Sequence, residues 1–86
     1  MLNLQTEVKC ESGLHNKQAT YFVQKANEFR SNIWIEVDER QINAKSLLGV
    51  LSMGVTTGTM IKVIADGSDE EIAVKTLAQM LEKDVY

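Results

Sequence analysis

Two hydrophobic periods alternate along this chain, and no fold built from a single kind of element satisfies both. Leu2, Leu4, Thr6, Val8 and Cys10 alternate with Asn3, Gln5, Glu7 and Lys9, the period of two expected of a strand with one buried face. The same face holds Cys10, which is therefore read as core rather than reactive. From Ala19 the period lengthens. Ala19, Phe22, Val23 and Ala26, with Phe29 close by, form a helical stripe that predicts a helix over roughly 16–28. Ile33, Ile35 and Val37 then alternate against Trp34, Glu36 and Asp38, and the polar Asp38-Glu39-Arg40 leads into a short segment ending at Ile42, which reads as a hairpin.

Ser46 stands as an N-cap before Leu47, Leu48, Val50 and Leu51, with Gly54 as a stop. Met60 to Ala65 is β-rich, with Ile61, Val63 and Ala65 on one face and Met60, Lys62 and Ile64 on the other. Ser68 and Glu71 have capping-box spacing ahead of Ala73, Leu77, Met80 and Leu81, so a last helix is expected to run to about Lys83. The order is βαββαβα, an α+β class in which helices cover one face of a mainly antiparallel sheet. Residues 1–86 are expected to form a single domain, since no linker, repeat or low-complexity segment interrupts them. A chain this short buries only roughly 60% of its unfolded surface, so chemistry is expected on an exposed face. The glycines at 13, 49, 54, 58 and 67 fall near predicted element ends and read as punctuation, not as a phosphate loop.

Charge narrows the function classes. Nine basic against 12 acidic residues give a net charge of -3, opposite to the basic footprint of nucleic-acid binding, so no direct nucleic-acid partner is expected. A lone cysteine excludes an intrachain disulfide, and no cysteine and histidine set could build a zinc site; neither metal nor cofactor is expected. Residues 1–8 lack a basic region followed by an apolar stretch, and no segment approaches the ~18 apolar residues of a membrane span. A cytoplasmic protein without membrane insertion is the expectation.

The only histidine, His15, precedes the predicted first turn of a helix, beside free backbone N–H groups that favour an anion. A neutral imidazole is nucleophilic at cytosolic pH, and a phosphoryl group on it would meet the helix-end donors and the nearby cation Lys17. A capping or solvated histidine satisfies the same position, and placement alone leaves both open. Ser46 is similarly double: its hydroxyl could accept phosphate where the helix dipole stabilises the added charge, or it merely caps the helix. Leu47, Leu48, Leu51 and Met53 follow on a two-turn helix that cannot turn all of them inward, so an exposed apolar patch is expected. Trp34 is expected on the outer sheet face or an edge. Asp69-Glu70-Glu71 reads as favourable first-turn charge rather than a metal site.

Gly13-Leu14-His15, Ala19-Thr20, Asn43-Ala44-Lys45-Ser46, Gly49 to Gly54, Gly58 and Gly67 through Glu70 together resemble the HPr phosphocarrier family of the bacterial sugar phosphotransferase system, including its regulatory branch called Crh. The resemblance implies an open-faced sandwich of four antiparallel strands with three helices on one face. It implies a phosphoryl carrier rather than a stand-alone enzyme: His15 would be phosphorylated by Enzyme I at the expense of phosphoenolpyruvate and would pass the group to IIA components. Lys17 would stabilise the phosphate. Ser46 would be a regulatory site for the HPr kinase/phosphorylase, its phosphorylated form binding catabolite control protein A. Asn16, Thr20, Leu47, Leu48 and Leu51 would contact partners. The family usually reads His-Ala-Arg-Pro-Ala where this chain has His15-Asn16-Lys17-Gln18-Ala19, and Crh proteins carry glutamine in place of the histidine, so the chain matches neither branch cleanly. The alternative reading is a Crh-like regulator that acts through Ser46 without efficient carrier activity.

Overall fold

The computed structural model describes residues 1–9 and 16–83 and places the elements in the expected order. They are β1 (Leu2–Glu7), α1 (Asn16–Ala26), β2 (Asn32–Val37), β3 (Arg40–Asn43), α2 (Leu47–Ser52), β4 (Met60–Asp66) and α3 (Glu70–Lys83). The strands form one antiparallel sheet in the order β1-β4-β2-β3. Register follows from the alternation: Leu4 pairs with Val63, and Val63 with Ile35, so one inner rank runs across three strands.

Those inner positions meet the apolar stripes of the helices. Ile33, Ile35, Ile61, Val63 and Ala65 from the sheet are buried with Ala19, Phe22 and Ala26 of α1, Val50 of α2, and Ala73, Leu77 and Leu81 of α3. Each large side chain of this set contributes about 2 kcal/mol by leaving water. On the outer face Trp34 is half-buried, and its cross-strand neighbour Ile64 keeps only 7% exposure.

Several boundaries differ from the sequence reading for identifiable reasons. Helix α1 ends at Ala26, two residues early, because past Asn27 the backbone bonds tighten: Glu28 N–H donates to Lys25 O and Phe29 N–H to Ala26 O. Leu2 and Leu4 lie on the helix side of the sheet yet remain more than a third exposed, since β1 is an edge strand. Gly49 sits inside α2 rather than at an element end. Cys10 lies outside the described residues. The capping expected between Ser68 and Glu71 is shifted by one residue: Glu70 Oε1 accepts from Gly67 N–H at 3.1 Å, while Glu71 pairs with Lys75. The Gly67 bond, followed by the amino-terminal ammonium, holds the Glu70 carboxyl below its ordinary range.

Asp69 does more than supply first-turn charge. Its Oδ1 accepts from the Ser31 hydroxyl and from Ser31 N–H at 2.9 Å, and its Oδ2 accepts from Arg30 N–H at 2.8 Å. The carboxylate thereby fastens the start of α3 to the turn between α1 and β2. Gly67 allows this approach, because a Cβ there would lie 2.6 Å from Ser31 Cα. The Ser31 hydroxyl, then the Arg30 N–H, lower the Asp69 pKa from 3.8 to about 2. A depressed carboxyl pKa gives stability that is complete above the unfolded-state value and is lost as pH falls toward the folded one. Denaturant unfolding of the wild type and of Asp69→Asn is expected to show a constant stability gap above about pH 5 that narrows between pH 4 and pH 2. A gap that persists unchanged to pH 2 would show that the charge of Asp69 contributes nothing.

Candidate functional site

The exposed face of α1 meets α2 in a groove. Lys17, Thr20, Tyr21 and Gln24 from α1 and Leu47 and Leu51 from α2 line a depression of about 550 Å³. The helix supplies its side because Lys17, Thr20, Tyr21 and Gln24 fall at i, i+3, i+4 and i+7, opposite the buried stripe of Ala19, Phe22, Val23 and Ala26. On α2, Val50 is fully buried and turns the helix so that Leu47 faces the groove at 39% exposure and Leu48 stands out at 81%. Leu51 and Met53 are half-buried against the core. The expected apolar patch is therefore present, with Leu48 its most exposed member. Leu48 stands beside the groove rather than in its lining.

Lys17 is exposed at the groove, one of its two poles; Leu47 and Leu51 form the apolar other. Among the described residues, no carboxylate lines the depression. His15 lies outside the described residues, and helix α1 begins at the next residue, Asn16. Tyr21 and Gln24 were not singled out from the sequence. The same four-position spacing counted from Lys17 would have found them.

Ser46 is the N-cap of α2. Its backbone is extended, at φ -104° and ψ 112°, and its Oγ accepts from Gly49 N–H at 3.1 Å. Glycine fits best three residues on, because a Cβ at Gly49 would lie 2.7 Å from Ile42 Cγ2 and 3.3 Å from Ser46 Oγ. Gly54, at φ +61°, closes the opposite end of α2 by adopting the left-handed conformation, and its N–H donates to Leu51 O. Asn43, Lys45 and Asn27 surround the approach to Ser46: Lys45 N–H donates to Asn43 Oδ1 at 2.9 Å, and Asn27 Nδ2 to Lys45 O at 3.2 Å.

The molecule is a small sandwich with one open sheet face that carries, on its outside, a groove of mixed polar and apolar character between two helices. No helix among the described residues is long and apolar enough to cross a membrane.

Residues 3–83 match the family described as "PTS HPr component phosphorylation site". The HPr-like protein Crh of Bacillus subtilis is 40% identical over 85 residues, covering 99% of this chain and all of that one. Among solved structures, HPr from Thermoanaerobacter tengcongensis superposes with a TM-score of 0.94 at 43% identity, covering 98% of this chain and 94% of that one. The phosphocarrier protein HPr from Bacillus anthracis gives 0.91 at 39% identity, covering 93% and 95%. The chain belongs to the HPr family, the phosphocarriers of the phosphotransferase system together with their catabolite-repression relatives.

The tight contact of Gly49 with Ile42 makes a direct expectation. Gly49→Ala must push α2 away from β3, an overpacking cost of roughly 1–3 kcal/mol that the better helix propensity of alanine offsets by about 1 kcal/mol. A net loss of about 1 kcal/mol, read from the urea midpoint, is expected; an unchanged or higher midpoint would mean that Ile42 yields freely.

Proposed function

We propose that this chain is an HPr-like phosphocarrier of the cytoplasm in which His15 accepts a phosphoryl group from Enzyme I and passes it to IIA components. One observation carries the reading: the cation Lys17 and the apolar Leu47 and Leu51, far apart in sequence, share one groove on the helix that begins immediately after His15. A partner seated in that groove would bring its own phosphoryl donor or acceptor to the start of α1. In the transfer, the imidazole nitrogen of His15 forms a bond to phosphorus while the donor's bond to phosphorus breaks; the reverse exchange delivers the group onward. The start of α1 offers N–H groups that have no partner within the helix, and the positive end of the helix dipole, to the phosphate, and Lys17 adds a full charge. Thr20, in the groove, and Leu48, beside it, extend the docking face.

Ser46 is the regulatory position in this reading. A phosphate on its Oγ would lie at the N-terminal side of α2 and beside the exposed leucines, changing the charge of the surface that partners meet. Phosphorylation by the HPr kinase/phosphorylase would then favour catabolite control protein A. A second reading is a Crh-like regulator that works through Ser46 alone, and two observations favour it. A protein named Crh is 40% identical along its whole length, and Lys17-Gln18 replaces the family's Arg-Pro. Lysine keeps the charge without the planar fork that grips two phosphate oxygens.

Intact mass after incubation with Enzyme I and phosphoenolpyruvate separates the two. The carrier reading expects one acid-labile phosphate per chain, absent from His15→Ala, while kinase-dependent labelling of Ser46 survives in that variant. An unlabelled wild type beside a labelled ordinary HPr in the same tube would select the regulator. Lys17→Arg is expected to speed transfer from Enzyme I by about two- to fivefold, because the guanidinium restores bidentate contacts. A rate that is unchanged or slower in rapid-quench measurements would reject that role for the fork.

A further inference from the structure

We propose that Asn27 and Lys45 are positioning residues for the modification of Ser46, a latch through which the end of α1 sets the backbone that presents the serine hydroxyl. This role rests on the reading of Ser46 as a kinase target and adds to it the groups that hold the target in place.

Asn27 is the first residue past α1, and its Nδ2 donates in two directions: to Val23 O, within its own helix, at 2.8 Å, and to Lys45 O at 3.2 Å. Lys45 answers with Nζ donating to Phe29 O at 2.7 Å, in the turn that follows the helix. Its N–H donates to Asn43 Oδ1 at 2.9 Å. The carbonyl, ammonium and amide of Lys45 are thus each held by a different residue.

The carbonyl matters most for what comes next. Lys45 C=O and Ser46 N–H belong to one planar peptide unit, so fixing both ends fixes the plane. Asn27 holds the carbonyl end, and the Ser46 N–H donates to Asn43 O at 3.1 Å. On the far side of Ser46, Gly49 N–H donates to Oγ at 3.1 Å and orients the side chain. The hydroxyl is therefore aimed by bonds on both sides. Only the bonds on the α2 and β3 side are local; Asn27 and the Lys45 ammonium bring in the turn that follows α1, from 18 and 16 residues away.

Such aim has a chemical use. In phosphorylation, Ser46 Oγ forms a bond to the terminal phosphorus of ATP, the bond from that phosphorus to its bridging oxygen breaks, ADP leaves, and the hydroxyl proton passes to a base of the kinase. The in-line geometry of this displacement is sensitive to shifts on the order of 1 Å in the attacking oxygen. Without Asn27 or the Lys45 ammonium, the peptide plane before Ser46 loses its tie to α1, while the groove residues that a kinase would touch stay in place. The loss should therefore appear in kcat more than in KM.

The test measures phosphorylation of wild type, Asn27→Ala, Lys45→Met and Lys45→Arg by the serine kinase with ATP, following intact mass at several chain concentrations. Val74→Ala, on the buried face of α3, serves as a control for lost stability alone. Expected is a fall in kcat of about tenfold for Asn27→Ala and Lys45→Met with KM changed less than threefold. Lys45→Arg, whose cation can still reach Phe29 O, should recover most of the rate, and Val74→Ala should keep it. Equal rates in wild type, Asn27→Ala and Lys45→Met would overturn the latch while leaving Ser46 as the target. Losses no larger than that of Val74→Ala at matched stability would do the same. A wild type that takes no phosphate on Ser46, beside a labelled ordinary HPr, would remove the Ser46 reading itself and the latch with it.

Discussion

The inner face of β4 is the surface on which everything else is laid. Ile61, Val63 and Ala65 are fully buried in the central part of the sheet, flanked by β1 on one side and β2 on the other. A single sheet of four strands cannot bury that face by itself, and the three helices close over it with Phe22, Val50, Leu77 and Leu81. Because each helix spends one stripe on this contact, each has an opposite side that must face water. The groove between α1 and α2 is made of two such outward sides meeting. The residues that line it are exposed or half-buried, while those that place them are core.

Polar fastenings then decide how the layers are joined at their ends. Asp69 ties the start of α3 to Arg30 and Ser31 at the turn into β2, and Asn27 and Lys45 tie the end of α1 to the approach to α2. Both fastenings lie at the turn after α1, one on each side. Burial alone would let the helices slide along the apolar face, since hydrophobic contact is non-directional. Hydrogen bonds with fixed donors and acceptors supply the direction, and through them the relative placement of α1 and α2 that creates the groove.

Much of this could be read before any coordinates. The period of two in β1 and β4, the helical stripe from Ala19 to Ala26, and Ser46 as a cap all correspond to observed elements, because each is a local rule acting over a few residues. The misreadings share a cause. Leu2 and Leu4 alternate like buried residues but lie on an edge strand, a fact of strand order that alternation does not encode. The Ser68 and Glu71 spacing matched a capping box, yet it is Glu70 that reaches back, to Gly67 N–H. Gly49 looked like punctuation and is instead the point of closest approach between α2 and Ile42. Tyr21 and Gln24 were visible as a polar helical stripe, but only the neighbouring Leu47 and Leu51 turn that stripe into a groove wall.

Sequence by itself determined the order of elements, the inward residues of each and the family resemblance carried by the Gly13-Leu14-His15 and Asn43 to Ser46 stretches, since these depend on spacing along the chain. Tertiary structure decided which outward faces adjoin. Lys17 meets Leu47 and Leu51, and Asn27 reaches Lys45, across separations that no local period records, because such neighbours are chosen by the sheet on which the helices pack and by the few hydrogen bonds that fix where they come to rest.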